Sequence, residues 1–348
     1  MLNRKKQKRI LIVRTDRVGD VCYITPALRE LRRTFSDAYV AALTQPHTSN
    51  LIKNNPNVDA IIVDDLAKES FWKVVKEIRK HKFTHALLMQ PTERAAYQLF
   101  FAGIPYRVGV GRILYEVITF MRSVSRNKYI PLRHEADYCM DLARKIGVVT
   151  DNLKLEIFLT ELEKDEAKIF FDKKGIAETE LKAFFHFGSL GSAPHWNEEK
   201  YFSLIQKFCD AYSYEKYRVI LTAREMSQEF REKISTLNNS RIHDISSEIG
   251  DLRDMIKIIS QADLFFAPST GPLHIADALN IKCVGLFCHR NASRAKLHGV
   301  LNEQSINLEV TEEYCSKHCS NDKEKCAIQT GLNEEDVLVA FNKLLTIK

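Results

Sequence analysis

Three short stretches of this chain carry the residue types and spacings best suited to chemistry, and each begins where a strand-like run ends. The first is Ile10-Leu11-Ile12-Val13-Arg14-Thr15-Asp16-Arg17-Val18-Gly19-Asp20-Val21. An apolar run, a tight loop and a helix start follow one another, so Gly19 allows close backbone approach and the helix start can meet an anion or a substrate hydroxyl. Asp20 has the chemistry of a general base and equally that of a helix cap. Arg14 and Arg17 can hold a phosphate or carboxylate of an acceptor, or stand as solvated loop charges. A single glycine is not the Gly-rich dinucleotide fingerprint, which argues against a nicotinamide enzyme.

The second stretch, Asp263-Leu264-Phe265-Phe266-Ala267-Pro268-Ser269-Thr270-Gly271-Pro272-Leu273-His274-Ile275-Ala276, has the same strand, turn and helix order. The Ser269 and Thr270 hydroxyls, the Gly271 amide and Pro272 at the helix start suit a diphosphate, because unpaired amides and the helix dipole point to one place. Either hydroxyl can equally be a helix cap. His274, one turn along, either lines the donor site or is a buried, satisfied histidine. The third stretch is Phe185-His186-Phe187-Gly188-Ser189-Leu190-Gly191-Ser192-Ala193-Pro194-His195-Trp196-Asn197. Its small residues admit phosphates close to the backbone, and Ser189 and Ser192 add donors. Glu225, after the run Arg218–Leu221, stands where an acidic residue often takes ribose hydroxyls; a solvated loop carboxylate is the alternative.

Eight cysteines in 348 residues do not read as a secreted disulfide scaffold. Cys22, Cys139, Cys209, Cys283 and Cys288 sit singly in apolar or helical contexts and read as small core residues. Cys315, Cys319 and Cys326 cluster, with His318 among them, at a spacing where zinc ligation is conceivable. A second close cysteine pair is missing, so the expectation is a tail-shaping role without metal and without part in the chemistry.

Such residues need elements to place them. In the first half, Ile10–Val13, Tyr39–Leu43, Ala60–Val63, Ala86–Met89 and Arg107–Val110 read as strands, with helical periodicity at Pro26–Arg33, Phe71–Lys80, Glu93–Phe101 and Ala136–Ile146. That alternation predicts a parallel sheet wrapped by helices, with ligands beyond the carboxyl ends of its strands. A charged helix over Thr160–Lys174 is stopped by Gly175, which sets the domain boundary: 1–175 and 176–348. The second half repeats the pattern, with strands at Ala183–Phe187, Arg218–Leu221, Asp263–Ala267 and Val284–Phe287. Asn333 is then the cap of a last helix over Val337–Leu345. No apolar run is long enough for a membrane span, which predicts a cytoplasmic protein. A net charge of +6, with five Lys/Arg among the first nine residues, favours an anionic partner such as a phosphate-bearing substrate or a membrane surface.

Together these stretches resemble the ADP-heptose:lipopolysaccharide heptosyltransferase family, glycosyltransferase family nine, over nearly the whole chain. Arg14 to Val21, with Pro26-Ala27-Leu28-Arg29 on the next helix, is similar to the family's opening motif. Ser269 to Ala276 is similar to its donor motif, and the cysteine loop with Asn333–Leu345 to its tail. The resemblance implies a GT-B architecture, an α/β fold of two Rossmann-like domains facing each other across a cleft that closes on the substrates. It also implies an inverting transfer from ADP-heptose to the lipopolysaccharide inner core at the cytoplasmic face of the inner membrane, with no cofactor, no metal and no nucleic-acid partner. By this resemblance Asp20 is the catalytic base. Arg14, Arg17 and Gly19 fall on the acceptor side, and Ser189, Ser192, His195, Glu225, Ser269, Thr270, Gly271 and His274 on the donor side. Two departures stand out: Ser269 where many members carry an acidic residue, and Ala193-Pro194-His195 where they carry a basic one before the tryptophan. They keep open a related enzyme using another nucleotide sugar, or a noncatalytic nucleotide-sugar-binding module.

Overall fold

Buried apolar runs form the central strands, and helices with one apolar face cover them. The computed structural model describes residues 7–68, 70–111, 113–124, 131–189, 191–212, 216–223, 226–290, 293–319 and 326–346. The chain divides into two compact units, Met1–Phe158 and Leu159–Lys348.

The first unit runs β1 (Arg9–Val13), α1 (Val18–Cys22), α2 (Thr25–Thr34), β2 (Tyr39–Thr44), α3 (Ser49–Ile52), β3 (Ala60–Val63), α4 (Phe71–Lys80), β4 (His85–Leu88), α5 (Glu93–Phe101), β5 (Tyr106–Gly109), α6 (Leu114–Ile118), β6 (Arg122–Ser123) and α7 (Glu135–Arg144). Its six-stranded sheet has the order β3-β2-β1-β4-β5-β6, with parallel pairing throughout. Ile10 to Val13 are fully buried, as a central strand covered on both faces requires.

The second unit runs α8 (Glu161–Asp172), β7 (Leu181–Phe185), α9 (Glu198–Ala211), β8 (Tyr217–Leu221), α10 (Gln228–Thr236), β9 (Ile242–Asp244), α11 (Leu252–Ile259), β10 (Leu264–Pro268), α12 (Gly271–Ala278), β11 (Lys282–Phe287), α13 (Ala295–His298), β12 (Ile306–Glu309), α14 (Glu312–His318), α15 (Ile328–Gly331) and α16 (Glu334–Thr346). The sheet order β12-β11-β10-β7-β8-β9 is the same winding repeated. In both units the order reverses beside the first strand, between β1 and β4 and between β7 and β10. A doubly wound sheet opens its ligand crevice at that point, beyond the carboxyl ends of the strands.

The unit division falls before α8, whereas the boundary at 175 read from the sequence falls after it. That helix carries its own cap and is tied to the second unit by a side-chain contact. Thr160 and Glu163 form a reciprocal capping box at its start, and the Glu163 carboxylate also takes a two-pronged bond from Arg253 of α11, both contacts 2.8 Å. The Arg253 bonds hold the Glu163 carboxyl down at about 2. Gly175 ends the helix as expected, at φ +71°, where a side chain is disfavoured. The last helix begins as expected too: Asn333 and Asp336 exchange two 2.9 Å bonds between side chain and backbone.

Candidate functional site

Each unit gathers polar residues at its sheet's reversal point. In the first, β1 ends at Val13, and the Arg14 side chain turns back into the protein with only 3% of its surface exposed. Its Nη2 donates to Asp20 Oδ1 at 2.6 Å, its Nε to Asp16 Oδ1 at 2.8 Å and its Nη1 to Glu135 Oε1 at 3.1 Å. Thr15 and Gln90, from the loops after β1 and β4, bond each other at 3.2 Å, and Gln45 after β2 donates to the Thr15 carbonyl at 2.5 Å. The carboxyl ends of three neighbouring strands are thereby tied into one floor.

Asp20 lies in the first turn of α1, whose cap is Arg17 and not Asp20. Its carboxylate is gripped by Arg14 while about a quarter of the side chain stays exposed (26%), so a second lone pair can meet an outside hydroxyl. No side chain makes a cap bond at this helix start. Gly19 is buried beneath Asp20 in the same turn. Arg14, expected to hold an acceptor anion, instead holds three carboxylates of the chain itself; removing the arginine would leave their charge uncompensated. Arg17 is exposed and has no ion pair among the described residues, which leaves it as the cation of this loop open to solvent.

Asp16 is a carboxylate to which sequence reasoning assigned no role. Burial, opposed by Arg14 and reinforced by Asp20, pushes its carboxyl up to about 6. The signal available in the sequence was the Arg14-Thr15-Asp16 spacing, which puts a carboxylate two residues from the arginine that the loop turns inward.

In the second unit, the loops after β7 and β10 emerge side by side, since Phe185 and Phe266 are register partners and the His186 amide donates to the Phe266 carbonyl at 2.9 Å. Thr270 is the cap residue of α12, yet its hydroxyl donates to the Pro268 carbonyl at 3.2 Å and makes no cap bond. The Gly271 amide and the Ser269 hydroxyl have no hydrogen-bond partner among the described residues, while the Ser269 amide is fixed to the Leu286 carbonyl at 3.1 Å. Pro272, in the first turn, contributes no N–H. A helix start with an open amide and a neighbouring open hydroxyl is an anion-binding geometry. His274 is buried in α12, only 4% exposed.

The loop 186–197 is shaped by positive-φ glycines, Gly188 at +74° and Gly191 at +71°, and by a turn bond of 2.8 Å from the Ser192 amide to the Ser189 carbonyl. Ser189 is buried and Ser192 exposed. Trp196 is fully buried, and its indole N–H reaches the Ile328 carbonyl at 2.9 Å. Gln329 donates to the His195 carbonyl at 2.7 Å, and His195 Nδ1 lies 2.8 Å from the Trp196 carbonyl oxygen. The half-buried His195 is thus held by the tail, a link between residues some 130 positions apart that no local pattern reveals. Glu225, and Arg224 before it, lie outside the described residues.

The cysteines are also redistributed. Cys315, Cys319 and Cys326 do gather, but Cys288 joins them, its sulfur 3.2 Å from that of Cys326.

Residues 71–328 match the model of a family described as glycosyltransferase family 9 (heptosyltransferase). The lipopolysaccharide core heptosyltransferase OpsX of Haemophilus influenzae is 23% identical over 341 residues, which cover 95% of this chain and 92% of that protein. Among solved structures, a glycosyl transferase family 9 protein from Veillonella parvula superposes with a TM-score of 0.81 at 20% identity, covering 98% of each chain. The Escherichia coli ADP-heptose lipopolysaccharide heptosyltransferase II gives 0.76 at 18% identity, over 97% of this chain and 98% of that one. These two likenesses show a shared fold of two Rossmann-like domains, the GT-B type expected from the resemblance.

Proposed function

The chain belongs to glycosyltransferase family 9, and from that premise we propose that it moves a heptose from ADP-heptose onto the lipopolysaccharide inner core with inversion at the anomeric carbon. The observation that carries the proposal is the pairing of two unlike sites at equivalent places in two like sheets. One presents an arginine-held carboxylate beside a free arginine; the other presents an uncapped helix start beside open hydroxyls. The first suits a neutral nucleophile that must lose a proton, and the second suits a diphosphate that gains charge as it leaves.

In this reading the first unit holds the acceptor and the second the donor. Asp20 accepts the proton of the acceptor hydroxyl as its oxygen bonds to the anomeric carbon. The bond from that carbon to the diphosphate oxygen breaks on the opposite side, and ADP departs with both electrons. Ser192, Ser269, the Gly271 amide and the positive end of α12 receive the new charge, with Ser189, His195, Thr270 and His274 shaping the pocket around them. Arg17 steers an acceptor phosphate. The choice of ADP-heptose rests on relatives that use it, among them the E. coli enzyme.

The donor cradle is open to a direct test. Ser192→Ala combined with Ser269→Ala removes two donors whose hydroxyls have no partner among the described residues, so folding should be unaffected. The dissociation constant for ADP, measured by calorimetry, should rise about tenfold or more, the scale of one lost hydrogen bond to a charged group. An unchanged constant in a folded double variant places the diphosphate elsewhere.

A lipid-linked acceptor lies at a membrane, and no described helix is long and apolar enough to cross one. Helix α6 nonetheless exposes Leu114, Val117 and Ile118, followed by Phe120 at 78% exposure, with Arg122 exposed just beyond. An apolar face next to a cation suits shallow contact with an anionic bilayer. Cosedimentation with phosphatidylglycerol vesicles should fall severalfold for Leu114→Ser combined with Phe120→Ser. Equal binding by this variant removes α6 from the contact.

A further inference from the structure

Four of the eight cysteines converge from separate elements. Cys288 follows β11, Cys315 lies on α14, Cys319 ends that helix and Cys326 opens the segment leading to α15. The sulfurs of Cys288 and Cys326 are 3.2 Å apart and those of Cys319 and Cys326 4.0 Å, and all three lie within 4.8 Å of one another. Cys315, buried on α14, stands beside this trio as the fourth cysteine. Sulfurs about 2.3 Å from a tetrahedral zinc stand about 3.8 Å from each other, which falls inside this range.

What distinguishes the cluster from a group of core thiols is the set of donors aimed at it. Arg290 and Ile328 follow Cys288 and Cys326 by two residues each, which brings their backbone amides near those sulfurs. The Ala327 amide donates to Cys319 at 3.3 Å, and the Arg290 guanidinium is the cation beside the same sulfur. Neutral thiols are weak acceptors and do not call for amides and a cation around them; thiolates bound to a metal do. Sequence reasoning set a metal aside for want of a second cysteine pair, and Cys288 with Cys326 supplies one. Cys315 and Cys319 have the close spacing of a zinc-binding pair.

We propose that Cys288, Cys315, Cys319 and Cys326 form a closed tetrathiolate site for one structural zinc ion. Binding releases four thiol protons to solvent and leaves a doubly negative centre, which Arg290 and the three amides offset. Four protein ligands leave no position for a substrate, so the ion has a structural role. It fixes the start of the segment from which Ile328 and Gln329 reach back to Trp196 and His195.

Elemental analysis of the full chain, purified without added metal or chelator, should find about one zinc per chain. Cys288→Ser and Cys319→Ser should each lower that content severalfold, whereas Cys209→Ser, at a core cysteine in α9, should retain it. Because a ligand variant can fail to fold, the wild-type chain gives a second readout. Replacing zinc by cobalt(II) should produce the strong visible and thiolate-to-metal charge-transfer bands of a tetrahedral thiolate site. Protein that remains metal-free after incubation with excess zinc, or that shows a disulfide among these four residues on peptide mapping, overturns the proposal; stoichiometric iron overturns the choice of zinc.

Discussion

Replacing Asp20 with asparagine should lower turnover by roughly 100-fold or more, the usual scale for losing a positioned base, while ADP affinity and melting temperature change little. Asparagine keeps the size of the side chain, and its carbonyl oxygen can still accept from Arg14 Nη2, which lies 2.6 Å from Asp20 Oδ1. Only the basicity goes. A carboxylate is a weak base toward an alcohol, which tells against the role. The acceptor hydroxyl, however, becomes far more acidic as its bond to the anomeric carbon forms, so the proton needs to move only then. Asp16 is the rival within the same loop, buried more deeply than Asp20 (15% against 26% side-chain exposure) and raised to about 6 by that burial. Steady-state turnover with both substrates saturating separates them. Near wild-type turnover of Asp20→Asn, with loss in Asp16→Asn, transfers the role to Asp16.

Arg14→Met should destabilise the fold by about 3 kcal/mol or more, the scale for removing one partner of a buried ion pair. Methionine fills much of the space, but Asp16, Asp20 and Glu135 would then face one another without a cation, and Glu135 is fully buried. Denaturant unfolding reads this directly. The pH dependence checks that the loss is electrostatic. Because the folded chain holds the Asp16 proton up to about 6, above the usual carboxylate range, this group favours folding in acid, and its contribution declines as pH rises through the interval from about 4 to 6. Without Arg14 the folded chain should hold that proton still more tightly, so the variant's deficit should shrink on moving from about pH 8 to about pH 5. A deficit independent of pH would assign the cost to packing instead.

The parts of this molecule that were legible in its sequence are those governed by local rules. Central strands such as Ile10–Val13 and Phe184–Phe185 announce themselves as apolar runs because both faces are covered, and helix starts at Thr160 and Asn333 because a capping side chain must precede the first turn. The edge strands β6, β9 and β12 were not legible. Arg122–Ser123, Ile242–Asp244 and Ile306–Glu309 are short and mostly half-buried or exposed, so pairing with a neighbour and not composition makes them strands. The site shows the same division. Asp20 and the Ser269–Gly271 turn could be singled out as candidates because a loop between strand and helix is a local feature. Arg14 was misread as an acceptor ligand because its inward turn depends on Glu135, some 120 residues away. Cys288 looked like an ordinary core cysteine because its partners lie on α14 and the segment beyond it. Contacts set by topology leave no mark in a window of residues.

The central claim is that this chain consumes a nucleotide-linked heptose by transferring it. The direct measurement is ADP release from ADP-heptose by the purified chain, with and without a heptose-deficient lipopolysaccharide acceptor, followed by mass spectrometry of that acceptor. The account predicts acceptor-dependent release, an acceptor heavier by one heptose for each ADP formed, and loss of both signals in Asp20→Asn. Tight ADP binding with no acceptor-dependent release would contradict it, and would make the chain a nucleotide-sugar-binding protein that keeps the fold without the reaction.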